Sequence, residues 1–456
     1  MDETTESCRT WALGASSAEA LVELARLARR LGTSVEPMPV VEPRDLLAHA
    51  VERAADGRPV LLAVTEPPEP TWLVTLGEAR HRGGGPCVLA VHDPGDEARL
   101  LRGLAADLGL VATTGLEAAA MAARLLDHDV PAPWQASLRH LPSVDRVWLA
   151  PVGTSAPRTG SLRWRRGEQG DLLLESETGS LRLGPAPQLG EALGALRAAH
   201  GASWPAMPVV EGVDESAVRE VIFGPRRTLS DPASKRALTP YGLPVPLERL
   251  CRSASRTATE AARIGFPVRI ALASPDVRVW EHPELVADGV DNAARAKDVY
   301  RQMTAMARLH VPDARILGVT VSATAEARCY LRLTMWPAPE GRALVRLGFA
   351  DPHGLAAGDE VLSFLPQPLR RLEQSLRRLA ARELLLPTRE RREVLRNLGD
   401  VLLRLAAFVD RWREEVEQVH VEPLAVLPGG QVELREAAVS VSEAFEREVY
   451  GASSAG

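Results

Sequence analysis

Two continuous apolar runs, Pro59-Val60-Leu61-Leu62-Ala63-Val64 and Cys87-Val88-Leu89-Ala90-Val91, narrow most what this chain can fold into. A strand that is apolar at every position is buried on both faces, the condition of a parallel sheet covered by helices. Helical spacing around these runs agrees. Leu21, Leu24, Leu27 and Leu31 recur within residues 18–31, and Ala/Leu/Arg stretches at 96–109 and 116–129 follow the strands. Repeated strand–helix alternation over about residues 10–130 predicts an open α/β domain with a flavodoxin- or Rossmann-like parallel sheet.

Composition sets limits on function. The 456 residues are 45% apolar and 25% charged, an ordinary globular balance, and their number calls for two or three domains. A net charge of −6 supplies no basic field for nucleic acid. No apolar run approaches the roughly 20 residues of a membrane-spanning helix, and the start MDETTESCRTW lacks the apolar core of a signal peptide. Cys8, Cys87, Cys251 and Cys329 have neither a disulfide-framework nor a zinc spacing. The expectation is a cytoplasmic protein with no nucleic-acid or membrane partner. Only two lysines occur, Lys235 and Lys297, so lysine-dependent chemistry has two candidates.

Beyond the first domain the pattern changes. Residues 161–165, 171–175 and 180–183 read as short strands between glycine-bearing turns, a small antiparallel element. A helix at 189–200 and the Trp204-Pro205-Ala206-Met207-Pro208 linker follow. The expected division is a polar tail at 1–9, the α/β domain at 10–140, the β element and linker at 141–209, a third domain at 210–450, and a disordered tail at 451–456. In the third domain Ser230 N-caps a helix with Pro232 in its first turn, ending at Tyr241-Gly242-Leu243-Pro244. Strands are expected at 268–272, 314–321, 328–335, 419–426 and 432–434, and helices at 293–309 and 391–417. The Leu/Arg stretch at 368–386 carries Leu369, Leu372, Leu376 and Leu379 on one face, suited either to a partner or to its own core.

Four windows in this third domain resemble, in order, the ATP-grasp domain of NDP-forming acyl-CoA synthetases, the relatives of ADP-forming acetate–CoA ligase and succinyl-CoA synthetase. They are Leu229-Ser230-Asp231-Pro232-Ala233-Ser234-Lys235-Arg236-Ala237-Leu238 with Tyr241-Gly242-Leu243-Pro244-Val245-Pro246; Ile264-Gly265-Phe266-Pro267-Val268 leading to Ser274-Pro275-Asp276-Val277; Pro312-Asp313-Ala314-Arg315-Ile316-Leu317-Gly318-Val319; and Glu422-Pro423-Leu424-Ala425-Val426-Leu427-Pro428-Gly429-Gly430. The resemblance implies a C-terminal α+β ATP-grasp domain at 210–450 and a ligase or CoA-binding-like domain at 10–140. It also implies ATP or ADP with Mg²⁺, and CoA, as ligands, and a protein partner or homo-oligomer.

The resemblance places a nucleotide site at Lys235, Arg269, Ser274 and Asp276. Where the family carries a lysine on the strand after Gly-Tyr-Pro-Val, this chain has Ala271. Arg269, two residues earlier, shares that strand face; it is either a phosphate-binding fork or an arginine at a strand edge. The family's His-Lys and glycine-pair loop reads here Val279-Trp280-Glu281-His282-Pro283-Glu284-Leu285, with bulky and acidic residues where backbone must approach phosphate. At the metal end His420 and Glu422 replace an Asp-x-Asn pair, two residues apart on one strand face. They are either metal ligands or a structural histidine beside a solvated glutamate. Arg435 stands where the family has an aspartate. In the first domain Gly14 and Ser16 offer either a phosphate or CoA cradle or a strand-to-helix turn. The glycine run Gly83-Gly84-Gly85 after His81 is the nearest match to a phosphohistidine loop.

Three readings follow: a catalytically degenerate ATP-grasp protein acting as a nucleotide/CoA-binding or regulatory module, an active divergent acid–thiol ligase subunit, or a structural subunit that binds no nucleotide.

Overall fold

The computed structural model describes residues 10–31, 33–38, 43–93, 95–126, 163–166, 171–176, 179–200, 202–350 and 358–444. The chain forms two compact units that divide between Trp204 and Pro205.

The N-terminal unit is built on five parallel strands: β1 (Trp11–Ala15), β2 (Val35–Pro37), β3 (Val60–Val64), β4 (Cys87–Val91) and β5 (Val111–Thr113). Their order, β2-β1-β3-β4-β5, is the flavodoxin-like arrangement. β1, β3 and β4 are buried at every position, as their unbroken apolar runs require. Helices Ala18–Arg30 and Leu116–Leu126 place Leu24, Leu27, Met121 and Leu125 against Trp11, Leu61 and Val88 in one core. Ser17, whose hydroxyl accepts from the Ala20 N–H at 3.2 Å, caps the first of them. Strands β6 (Arg163–Arg166), β7 (Asp171–Ser176) and β8 (Gly179–Pro185) pair antiparallel in sequence order, and helix Ala186–Ala199 follows.

The C-terminal unit holds two antiparallel sheets. β10 (Glu248–Cys251), β11 (Val268–Ala273), β12 (Val286–Val290) and β13 (Gly318–Ala323) form the smaller, ordered β10-β13-β11-β12. Helices Ala254–Ile264 and Ala293–His310 pack onto it through Ala258, Ala261, Val299 and Met303. Gly318 has φ +135°, and a Cβ there would lie 2.2 Å from the Cys251 carbonyl oxygen; only glycine lets β10 and β13 meet. The larger sheet combines β9 (Arg227–Thr228), β14 (Cys329–Ala338), β15 (Arg342–Phe349), β16 (Glu360–Leu365), β17 (Val416–Val426), β18 (Val432–Leu434) and β19 (Ala437–Val441). Its order is β16-β15-β14-β17-β19-β9, with β18 paired to β17. Helix Arg391–Arg411 covers this sheet with Val394, Leu398, Leu402, Leu405 and Phe408.

Several boundaries differ from those read in the sequence. The strand expected at 314–321 begins at Gly318, because residues before it turn back onto the Ala273 carbonyl, which accepts the Leu317 N–H at 2.8 Å. The Leu/Arg stretch is two helices, Leu369–Leu376 and Arg382–Leu385. Asp359 separates them by accepting the N–H groups of Ala380 at 2.7 Å and Ala381 at 2.9 Å. Leu372, Leu376 and Leu379 point into the unit's own core, and Leu369 lies over Gly399. The last helix ends at Arg411 rather than 417, and Val416 opens β17 after a turn in which Trp412 accepts the Val416 N–H at 2.7 Å. Among the described residues no helix is long and apolar enough to cross a membrane.

Candidate functional site

The two sheets of the C-terminal unit meet around a buried set of charges. Lys235, on helix Asp231–Leu238, is 3% exposed. Its ammonium donates to Asp231 Oδ2 at 2.8 Å, one helical turn back, and to Glu248 Oε2 at 2.7 Å on β10. Arg269 lies on β11 and is 8% exposed. It donates to Asp288 Oδ2 at 2.8 Å and to Glu436 Oε1 at 3.0 Å, so it bridges the small sheet and the segment entering β19. Asp231 Oδ1 accepts the Ala437 N–H at 2.8 Å, closing the set onto that same segment.

Electrostatics in this set follow from the count of charges. Asp231, Glu248 and Glu436 are three buried or nearly buried carboxylates against two cations; the fourth carboxylate, Asp288, is half exposed. An uncompensated buried charge is costly. Burial pushes the Glu436 carboxyl up to about 8, with Asp231 adding repulsion and Lys235 and Arg269 only partly offsetting it. Burial likewise pushes Glu248 up to about 7 against the pull of Lys235. Burial opposes the charge on Lys235, but Asp231, Glu436 and Glu248 outweigh it and hold the ammonium above its ordinary range. Arg269 is raised in the same way, chiefly by Glu436 and Asp288 against burial. With both carboxyls raised, proton uptake by this set brings the interior closer to neutral.

Ala271 is on β11 two residues beyond Arg269, 2% exposed and packed in the small-sheet core. Ser274 and Asp276 lie past the other end of β11 from Arg269. Ser274 Oγ accepts the Asp276 N–H at 3.0 Å, and Asp276 takes the Arg315 backbone N–H at 2.8 Å and its guanidinium at 2.9 and 3.0 Å. The Arg315 guanidinium holds the Asp276 carboxyl below the usual range. The structure thus joins Lys235 and Arg269 through one carboxylate set, and leaves Ser274 and Asp276 in a separate turn.

Where the resemblance implies a metal, His420 and Glu422 are bonded to each other on β17, Nε2 to Oε2 at 3.1 Å. His420 Nδ1 lies 2.8 Å from the Thr334 hydroxyl on β14. The indole of Trp280, from the turn after β11, packs over the His420 ring at 4.7 Å between centroids and 35° between planes. An imidazole and one carboxylate suit Mg²⁺ poorly, since that ion takes oxygen ligands, and both imidazole nitrogens have protein partners. Arg435 is 4% exposed, paired with Glu433 at 2.6 Å and donating to the Ala325 carbonyl at 3.0 Å.

In the N-terminal unit, Gly14 sits where a Cβ would lie 2.5 Å from Met38 and 2.6 Å from Leu46. Ser16 Oγ accepts the Thr65 N–H at 2.9 Å. Both residues have packing or turn partners inside the fold. The Gly83–Gly85 run is a turn closed by the Gly85 N–H donating to the Ala54 carbonyl at 2.9 Å, and a Cβ on Gly85 would lie 2.1 Å from the Arg58 carbonyl oxygen. His81 stacks on Trp204 with ring centroids 5.3 Å apart. Cys87, Cys251 and Cys329 are free and buried, and burial pushes the Cys87 thiol up to about 12; Cys8 lies outside the described residues.

Glu248, Asp288, Glu436, Thr334 and the placement of Trp280 over His420 were not foreseen from the sequence. The signal for Glu436 was weak: a charge beside Arg435 just before the apolar run at 437–439.

Residues 220–441 match the family model described as the ATP-grasp domain. The beta subunit of acetate–CoA ligase (ADP-forming) II from Pyrococcus furiosus is 22% identical over 215 residues, covering 47% of this chain and 91% of the relative. The 4-hydroxybutyrate–CoA ligase (ADP-forming) of Nitrosopumilus maritimus is 22% identical over 207 residues, 45% of this chain but 30% of its own length. Among solved structures, a dinucleotide-forming acetyl-coenzyme A synthetase from Candidatus Korarchaeum cryptofilum, in complex with coenzyme A and Ca-AMPCP, is 22% identical; the match covers 47% of this chain and 93% of that one, with a TM-score of 0.42. The C-terminal unit thus carries the ATP-grasp match, and in sequence it is similar to these ADP-forming CoA ligases.

Proposed function

We propose that this chain is a catalytically silent relative of the ADP-forming acyl-CoA synthetases, a binding or regulatory module in place of an acid–thiol ligase. The observation that carries the reading is the engagement of Arg269 by Glu436 and Asp288, on a strand where Ala271 takes the place of the family's lysine. A guanidinium held between two carboxylates offers a phosphate little net positive charge, and drawing it away would leave Glu436 buried and unpaired. Three further features point the same way. Trp280 covers His420, the His420–Glu422 donor set suits Mg²⁺ poorly, and Arg435 brings a cation to a place where the family has an acid.

The acetate–CoA ligase relatives are named as beta subunits, so a partner chain belongs to this reading, with CoA or a nucleotide as the small-molecule ligand. Given Mg-ATP, CoA and a panel of short carboxylic acids, the purified chain is expected to release no more ADP than its Glu422→Ala variant. ADP release that depends on an added acid and drops in that variant would replace this reading with an active, divergent ligase.

A further inference from the structure

Away from the buried charges, His282, Glu284 and His310 converge on the small-sheet half of the C-terminal unit. The turn Pro283–Leu285 is closed by the Leu285 N–H donating to the His282 carbonyl at 2.8 Å. Leu285 is fully buried and anchors that turn. His310 is the last residue of helix Ala293–His310, which packs on the same turn through the small-sheet core. Two elements of settled position therefore present the three side chains to one another.

The distances carry the argument. Glu284 Oε1 lies 3.2 Å from His282 Nδ1 and 3.3 Å from His310 Nδ1. One donor atom from each of the three residues lies within 4.8 Å of the others. A tetrahedral ion bound at about 2.0–2.1 Å by nitrogen and oxygen ligands holds its ligand atoms about 3.3–3.4 Å apart. The two edges to Glu284 are close to that spacing, and the donor atoms of the two histidines lie within 4.8 Å of each other. Two imidazoles and one carboxylate are a donor set for zinc-class divalent ions, and not for Mg²⁺ or Ca²⁺. The side chains keep 27%, 31% and 38% of their surface exposed, so an ion can reach them from solvent and a fourth position is left for water.

We propose that His282, Glu284 and His310 form a binding site for a zinc-class divalent ion. Bound there, the ion would tether the Pro283–Leu285 turn, which follows the Val279–Glu281 turn that carries Trp280, to helix Ala293–His310. None of its three residues belongs to the Lys235 and Arg269 carboxylate set, and the site stands whether or not the chain is catalytically silent.

Titration of the metal-stripped chain with Co²⁺ alone tests the proposal. The expected result is one equivalent bound with the visible absorption of tetrahedral Co²⁺, displaced by Zn²⁺ and unaffected by excess Mg²⁺. Affinity should fall at least tenfold in both His310→Ala and Glu284→Gln and stay unchanged in Glu422→Ala. All three positions are partly exposed, and circular dichroism of each variant checks that the fold is kept. No tetrahedral absorption in the parent chain, or undiminished binding in folded His310→Ala, would overturn the site and leave the cluster an ion pair between histidines and a glutamate.

Discussion

Lys235→Met is expected to lower the stability of the C-terminal unit by about 3–5 kcal/mol, the range for breaking a buried ion pair from one side. The lysine is 3% exposed and bonds Asp231 and Glu248 at 2.8 and 2.7 Å, while Asp231 also fixes the Ala437 N–H. Methionine keeps the length and the apolar stem but leaves these carboxylates facing each other without a cation. Part of the loss can be relieved by proton uptake, because burial already places Glu248 at about 7. The deficit should therefore be largest near pH 8 and smaller near pH 5. The denaturant midpoint of the transition that carries Trp412, buried in the larger core, reads the effect. A change below about 1 kcal/mol at pH 8 would mean that the carboxylates find other partners and that the set is not the junction described above.

The second large effect is a stability that falls as pH rises from about 5 to 9. Glu248 and Glu436 have native values pushed up to about 7 and about 8, above the ordinary carboxylate range of the unfolded chain. The folded state therefore holds protons that the unfolded state has released. The corresponding stability is fully present below the unfolded value and is lost as pH passes through the native values. For one proton taken up on folding, the slope is about 1.4 kcal/mol per pH unit. Other shifted groups do not mask it. Lys235 and Arg269 are raised from already high values, so their contributions are constant across this window. Asp276 and Glu215 are held low by hydrogen bonds from Arg315 and Arg411, and their contributions are complete above the ordinary carboxylate range. Glu436→Gln, neutral at every pH, is expected to flatten the slope. A parent chain whose midpoint is flat or rises between pH 6 and 9 would contradict this proton uptake.

Much of the fold was legible because its signals are local. Unbroken apolar runs marked β3 and β4, and the ordered windows from Leu229 to Gly430 marked the ATP-grasp unit. β12 was missed because Ala287-Asp288-Gly289 interrupts its apolar pattern, and it pairs with β11 through a register shift. The helix at 391 was read too long because Arg411 to Glu417 keeps a helical alternation of charge, while the chain in fact turns at Trp412 to begin β17. The site was less legible for a related reason. Arg269 was singled out as a candidate from its place on a strand face, but its partner Glu436 is 167 residues away and meets it only through the approach of two sheets. His310 likewise reaches Glu284 by the length and position of a helix, which no local motif records.

The central claim is that the protein's own carboxylates occupy the cation that would otherwise grip a nucleotide's phosphates. Calorimetric titration of the chain with Mg-ATP and, separately, with adenosine tests this most directly, because the two ligands differ only in the triphosphate and its metal. The account predicts that Mg-ATP binds no more tightly than adenosine. Mg-ATP binding at least tenfold tighter, about 1.4 kcal/mol, with the advantage lost in Arg269→Ala, would show that the guanidinium leaves Glu436 for phosphate and would contradict the account.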